Sequence, residues 1–280
     1  MQAVLDWLES PPPKSLPPPP ETPSVATVEC PPGRSIPAAI QAAVWRGSEL
    51  GSAVTSVCTT GWNSFDTELP GGGWPRRSVS EVLAAQPYVL EWRLLGPALK
   101  QVVADGGQVV VVGPARRPHL PGLLHAGLDE RQLVWIQTEL PAERLWVTEQ
   151  LIKSNSAGAI VAWLPQARQE QIRRLQVCST GCEGLVFLCR PESARHEASA
   201  APLRVHAAVG VDWELKVDIF KRRGPVHAGG LVLPSVPGGL SSVLTPRLRK
   251  PSRLISRGVP ADALGSAATS APSRRHASVQ

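Results

Sequence analysis

Hydrolysis of a nucleotide is the chemistry that this sequence can be tested for most directly. It requires a glycine-rich loop with Lys and Ser or Thr after a buried strand, which cradles the phosphates and holds magnesium. The first strand predicted inside the folded part spans 79–84, and the segment after it, 85–93, contains no glycine, lysine, serine or threonine. We interpret four bulky or donor-poor residues as a degenerate phosphate-loop position: Pro87, Tyr88, Val89 and Leu90.

A hydrolytic site also requires an acidic residue at the end of a neighbouring strand. The apolar strand predicted at 157–164 carries Trp163 where that metal-binding residue is expected, a degenerate Walker B position. The strand at 108–112 runs into Gly113 and Pro114, which offer no carboxylate. The sequence therefore predicts no catalytic residue, no nucleotide or other cofactor, and no enzyme activity.

Two other patterns suggest chemistry at first sight. The run GGGW at 71–74 precedes the first strand and lacks the GK[ST] of a phosphate loop, so we interpret it as a tight turn that allows Trp74 to pack. Cys178, Cys182 and Cys189 have a spacing that fits a zinc site poorly, and Cys189 lies in an apolar strand. We predict no metal site.

The elements that would position these residues follow from hydrophobic periodicity. Helices are predicted at 38–47, 91–104, 118–126, 141–153 and 166–179, and strands at 79–84, 108–112, 133–137, 157–164 and 184–189. Three further segments, 202–209, 213–221 and 228–233, are predicted as antiparallel strands. This alternation predicts an α/β fold, with a largely parallel sheet and an antiparallel edge.

The two ends of the chain have different compositions from the middle. Residues 10–37 contain eleven prolines, which favour a polyproline II spacer, and the preceding AVLDWLE is either a docking peptide or a frayed terminus. We predict a disordered proline-rich segment at 1–35, one folded domain at 36–235, and a disordered basic tail at 236–280.

The net charge of +6 is concentrated in the tail, because residues 241–280 hold seven Lys or Arg and one Asp. The candidates for contact with a partner or with DNA are Lys221, Arg222, Arg223, Arg247, Arg249, Lys250 and Arg253. A solvated strand end and a solubilising tail are the alternative interpretations. No apolar run approaches the roughly 20 residues that cross a bilayer, and the N-terminus lacks a secretory pattern. We therefore expect a soluble cytoplasmic protein.

The order of several segments resembles the core of RecA and, more closely, the ImuA family of SOS-associated translesion-synthesis accessory proteins, within the RecA/SulA-like group. The segments are VWRGSELG (44–51), LPGGGWPR (69–76), LVWIQ (133–137), LWVTEQLI (145–152), AIVAWLP (159–165), IRRLQ (172–176), SAAPLRV (199–205) and FKRRGP (220–225). The resemblance implies a RecA-like, P-loop-type core. The loop after the first strand departs from the family, because it lacks the glycines that many relatives show there.

The same resemblance implies a function in DNA damage tolerance. Its expected partners are an ImuB-like inactive Y-family polymerase homologue, a DnaE-type error-prone polymerase and RecA, with a weak direct contact to DNA and association with the bacterial nucleoid. Partner contacts in the family involve the C-terminal part, which would give the KRRG segment and the basic tail a role. Two alternatives stay open: a SulA-like cell-division inhibitor that acts on FtsZ, and a divergent DNA-stimulated ATPase.

Overall fold

The computed structural model describes residues 56–114, 116–117, 119–227, 229–236 and 240–252. All of them belong to one compact unit of the chain. The helix predicted at 38–47, the proline-rich segment and Arg253 lie outside the described residues. No helix in these ranges has the length and apolar content needed to span a bilayer.

The strands are β1 Val57–Cys58, β2 Trp74–Pro75, β3 Val79–Ala84, β4 Val109–Val112, β5 Leu133–Ile136, β6 Ala159–Trp163, β7 Leu185–Pro191, β8 Leu203–Val209, β9 Glu214–Lys221 and β10 Gly230–Pro234. The α-helices are α1 Asn63–Asp66, α2 Leu90–Ala104, α3 Leu120–His125, α4 Pro141–Ser154, α5 Gln169–Ser179 and α6 Leu240–Val243. Short 3₁₀ helices cover Glu130–Gln132 and Glu192–His196. Each helix and strand predicted inside the described ranges is therefore confirmed, with small shifts at its ends.

Eight strands form one mixed sheet in the order β10-β9-β8-β3-β7-β6-β4-β5. The strands from β8 to β5 in this order run parallel, whereas β9 and β10 form an antiparallel edge. The predicted α/β class, with its mostly parallel sheet and antiparallel edge, is confirmed.

The prediction for 202–209 was wrong in one respect. β8 pairs in parallel with β3, where Ser80 lies opposite Leu203, and it is antiparallel only to β9. The connection from β7 passes through the 3₁₀ helix Glu192–His196 and delivers β8 to the far side of β3. β8 is thus a buried interior strand, and its continuous burial over Leu203–Ala207 is typical of a strand covered on both faces.

Helices cover both faces of the sheet and divide the core into two clusters. On one face, α2 buries Leu94, Leu95 and Leu99 against alternate residues of the strands. On the other face, α4 and α5 cover the remaining residues, and Ile172 is fully buried. Since alternate strand residues point to opposite faces, near-continuous apolar strands are the expected sequence of a three-layer fold.

The GGGW turn packs as predicted. Trp74 is fully buried and meets Phe65 and Phe187 edge-on, with ring centroids 5.3 and 5.1 Å apart. Gly73 allows this arrangement, because a Cβ there would lie 2.3 Å from the carbonyl oxygen of Cys58. Gly73 therefore serves the close approach of β1 and β2.

A buried ion network ties the three central strands together. The carboxylate of Glu81 on β3 accepts from Arg190 on β7 at 2.7 Å and from Arg204 on β8. Arg190 also donates to the Glu197 carboxylate at 2.5 Å, and Arg204 donates to the carbonyl oxygen of Ala194 at 2.8 Å. Charges out of water require pairing of this kind, although Nε of Arg190 has no hydrogen-bond partner among the described residues. The network fixes β3 between its neighbours and so positions the loop that follows it.

Candidate functional site

The order of the strands reverses around β3. The chain leaves β3 towards the β4 side of the sheet, and it later passes from β7 to β8 on the opposite side. In open α/β sheets, ligands bind in the crevice outside the carboxyl ends of the strands at this kind of switch point. The loop 85–89 and the start of α2 are therefore the place to look for a site.

Three aromatic side chains fill the space at the carboxyl ends of β3 and β6. Trp163, the last residue of β6, is only 3% exposed. The ring of Tyr88 stacks on it with centroids 6.2 Å apart, and Trp92 tilts against it at 5.6 Å. The structure thus brings together Tyr88 and Trp163, which the sequence analysis interpreted as degenerate phosphate-loop and Walker B positions, and it adds Trp92 to them.

Tyr88 adopts a backbone conformation that suits glycine. Its φ is +72°, in the left-handed region, which costs a residue with a Cβ about 1–2 kcal/mol. Of its neighbours in the predicted phosphate-loop segment, Pro87 and Val89 are exposed, whereas Leu90 opens α2 and is fully buried. Non-glycine residues persist in such conformations where surrounding contacts fix them, commonly at functional sites. Here the fixing contact is the stack on Trp163.

A buried carboxyl lies at the N-terminus of α2. Glu91 is fully buried, and its Oε1 accepts from Nε1 of Trp163 at 3.1 Å. Its other oxygen, Oε2, has no hydrogen-bond partner among the described residues. Burial raises the pKa of Glu91, while Trp163 and the nearby backbone of Glu91, Tyr88 and Val89 act on this pKa in the opposite direction.

This arrangement determines what the crevice can bind. The backbone N–H groups at the start of a helix form a ready anion site, which is where phosphate binds in nucleotide-binding folds. In this chain the first turn of α2 holds the buried carboxyl of Glu91, and the N–H of Leu90 donates to the carbonyl oxygen of Gln86 at 3.4 Å. The indole of Trp163 occupies the end of β6, where a metal-binding carboxylate would have to stand. Side chains of the chain itself, the indole of Trp163 and the buried carboxyl of Glu91, thus lie at the carboxyl end of β6 and at the start of α2.

No group of three or more His, Cys, Asp or Glu side chains within the described ranges could hold a metal ion. Cys189 is buried in β7, which confirms its assignment to the core, and burial raises the pKa of its thiol. Cys182 is also buried, and its pKa is raised for the same reason.

The basic residues of the KRRG segment lie at the other end of the strands, beside the amino end of β8. Lys221 ends β9 beside the first residues of β8, and its ammonium donates to the carbonyl oxygen of Ser199 at 2.7 Å. Arg222 donates to Glu68 and to the carbonyl oxygen of Pro225, so it serves the packing of this corner. Arg223 is exposed.

The sequence analysis missed that two more arginines join this corner. Arg76 and Arg77, next to the GGGW turn, line a small cavity of about 120 Å³ together with Arg222 and Arg223. Both contact Glu183, Arg76 through the carbonyl oxygen at 2.7 Å and Arg77 through the carboxylate. The sequence pattern that could have indicated this basic corner is the pair of Arg-Arg dipeptides at 76–77 and 222–223.

The described part of the basic tail lies elsewhere. Arg247, Arg249 and Lys250 are exposed in a stretch that follows α6. The carbonyl oxygen of Leu248 accepts from Nε1 of Trp213 at 3.0 Å, and Ser252 contacts Asp212 at the turn between β8 and β9. Since this turn follows the carboxyl end of β8, the structure does not bring the tail arginines and the KRRG segment together.

No protein-family model matches the chain, and no curated protein matches it.

Proposed function

We propose that the chain is a non-catalytic accessory protein of SOS-induced, error-prone translesion DNA synthesis, built on a RecA-like, P-loop-type core. The observation that carries this proposal is the occupied crevice after β3. The buried carboxyl of Glu91 lies in the first turn of α2, and Tyr88, Trp92 and Trp163 pack beside it. A fold of nucleotide-binding type whose binding position is closed by its own side chains is suited to recognising other proteins.

The sequence resemblance to the ImuA family supplies the biological setting. Two of its segments, LPGGGWPR and AIVAWLP, contribute Trp74 and Trp163, both of which are buried in the structure. A third, SAAPLRV, contains Arg204 of the buried ion network. Residues that carry the resemblance therefore contribute to the packing around β3, which supports a shared scaffold.

The proposed partners are an ImuB-like inactive Y-family polymerase homologue, a DnaE-type error-prone polymerase and RecA, in the bacterial cytoplasm. The test is co-expression of the full chain with an ImuB-like protein, followed by gel filtration at micromolar concentration. We expect one peak that contains both proteins. Elution of two folded proteins in separate peaks would contradict the proposal.

A further inference from the structure

A large groove runs along the outer face of α2, and Pro87, Tyr88 and Val89 of the loop after β3 form part of its lining. It encloses about 980 Å³. One wall combines Trp62 with residues 234–236, and Trp62 is held there by a hydrogen bond of 3.0 Å from its Nε1 to the carbonyl oxygen of Pro234. The opposite wall is α3 and the loop before it, with Leu123 and the arginines 116 and 117.

The floor of the groove is α2 itself, and its sequence is unusual for a helix. Gly96 and Pro97 stand side by side in the middle of α2, where both residue types disfavour helix. A Cβ added to Gly96 would meet no atom within 4 Å, so the missing side chain leaves open space. Residues that disfavour the secondary structure in which they lie occur most often at functional sites. The floor extends from Trp92 to Lys100, about two helical turns or about 12 Å.

The charge of the groove is of one sign. Lys100, Arg116 and Arg117 are exposed along it, and the exposed His119 and His125 stand on the same wall as the two arginines. Among the described residues that line the groove, none is acidic. This contrasts with the chain outside the tail, where residues 1–240 carry equal numbers of basic and acidic side chains.

The groove also exposes apolar surface. Val89 at one end is 53% exposed, and the rings of Trp62, Tyr88 and Trp92 are half-buried. Contiguous apolar surface rimmed by polar residues marks an interaction site. A floor of two helical turns with Trp92, Gly96 and Pro97 along it fits side chains at i, i+3 or i+4 and i+7 of a partner helix.

We propose that this groove binds a short segment of a partner protein in which Asp or Glu residues stand beside large aliphatic or aromatic side chains. The apolar side chains fill the space above Gly96, and the acidic ones face Arg116 and Arg117. This inference rests on the proposed accessory role, because it names the chemistry of the partner and the surface that receives it.

Single-stranded nucleic acid fits the groove less well. Its bases would need ring faces along the whole path, whereas the aromatic side chains cluster near Tyr88 and the middle of the floor is Gly96 and Pro97. A phosphate backbone would also need cations that follow its path. Here the two exposed arginines stand on one wall, and Arg93 on the floor donates to the carbonyl oxygens of Trp213 and Ser235.

The test is selection of displayed random peptides of about 12 residues on the immobilised full chain. We expect enrichment of peptides with acidic residues beside Leu, Phe or Trp. Selected peptides should bind Gly96→Trp and Arg116→Glu/Arg117→Glu at least about tenfold more weakly than wild type, and binding should weaken with salt. The first variant fills the groove. The second variant changes only exposed side chains, so it preserves the fold.

Two controls match these variants. Gly96→Ala adds only a methyl group and should retain peptide binding, and Arg168→Glu/Arg173→Glu makes the same change in charge at exposed residues away from the groove. Enrichment of basic peptides, no enrichment, or peptides that bind all variants equally would overturn the inference. So would binding of a fluorescent oligo-dT that the groove variants abolish. The selection uses no ImuB-like protein, so its failure is distinguishable from failure of co-elution.

Discussion

Trp163 contacts Tyr88, Trp92 and Glu91, so replacing it should lower the free energy of unfolding substantially. Replacing a buried large aromatic residue by alanine costs about 3–5 kcal/mol. Trp163→Ala should fall in the upper half of this range, since Tyr88 and Trp92 would both lose their packing partner and Glu91 would lose its side-chain donor. A loss of this size is a large part of the about 5–15 kcal/mol that stabilises a typical domain.

Trp163→Phe separates packing from hydrogen bonding. It keeps an aromatic ring but leaves the buried Glu91 carboxyl without the indole donor, which should cost about 1–3 kcal/mol. Adding Glu91→Gln to Trp163→Phe should recover part of this loss, since the amide also donates and carries no charge. The free energies are measured by urea unfolding with far-UV circular dichroism, at unchanged m-value.

Trp146→Ala is the matched control, because this tryptophan on α4 is 62% exposed. It should change the free energy of unfolding by less than about 0.5 kcal/mol. If Trp163→Ala destabilises the protein by less than about 1 kcal/mol, the indole does not hold the cluster of Tyr88, Trp92 and Trp163 together, and the reasoning is refuted.

Three further predictions concern other parts of the molecule. Because burial raises the pKa of Glu91, the folded state binds the Glu91 proton more tightly than the unfolded state does. The free energy of unfolding of the wild type should therefore fall as pH rises from the ordinary carboxyl range through that raised pKa. A plot of urea midpoint against pH should show this fall for the wild type and lack it for Glu91→Gln. Glu81→Gln should lower the free energy of unfolding by about 3–5 kcal/mol, because Arg190 and Arg204 would keep buried charges without their shared partner. Urea unfolding measures this loss, and an unchanged midpoint would show that the network does not stabilise the fold. Gly73→Ala should lower the melting temperature, because its Cβ would clash with the backbone of Cys58. Gly181→Ala, whose Cβ would meet only the carbonyl oxygen of Cys178 at 4.0 Å, should lower it less; equal effects would contradict the steric argument.

Much of the fold could be predicted from the sequence, because strands buried on both faces and amphipathic helices have distinct patterns. β3 was predicted with its full bounds, and α2 was predicted within one residue. The pairing of β8 with β3 could not be derived, since strand pairing depends on where a crossover delivers the chain and not on local periodicity. The domain boundaries at 35 and 235 stay predictions, although residues 240–252 contact the turn after β8.

The sequence identified only some of the residues of the candidate site. Missing glycines and a tryptophan in place of an acid identified Tyr88 and Trp163, because sequence motifs show what a phosphate loop lacks. Glu91 was missed because an acidic residue in the first turn of a helix is ordinary. Only the fold shows that its carboxyl is fully buried beneath Trp163. The groove was missed for the same reason, since its walls come from three distant parts of the chain.

The central claim is that the chain's own side chains occupy the nucleotide position. Isothermal titration of the full wild-type chain with Mg-ATP tests it most directly, at up to about 1 mM nucleotide, the upper end of ordinary substrate KM values. The account predicts no saturable binding and no release of phosphate. Saturable binding with one nucleotide per chain, weakened when Glu91 or Tyr88 is replaced, would place ATP in the crevice and contradict the account.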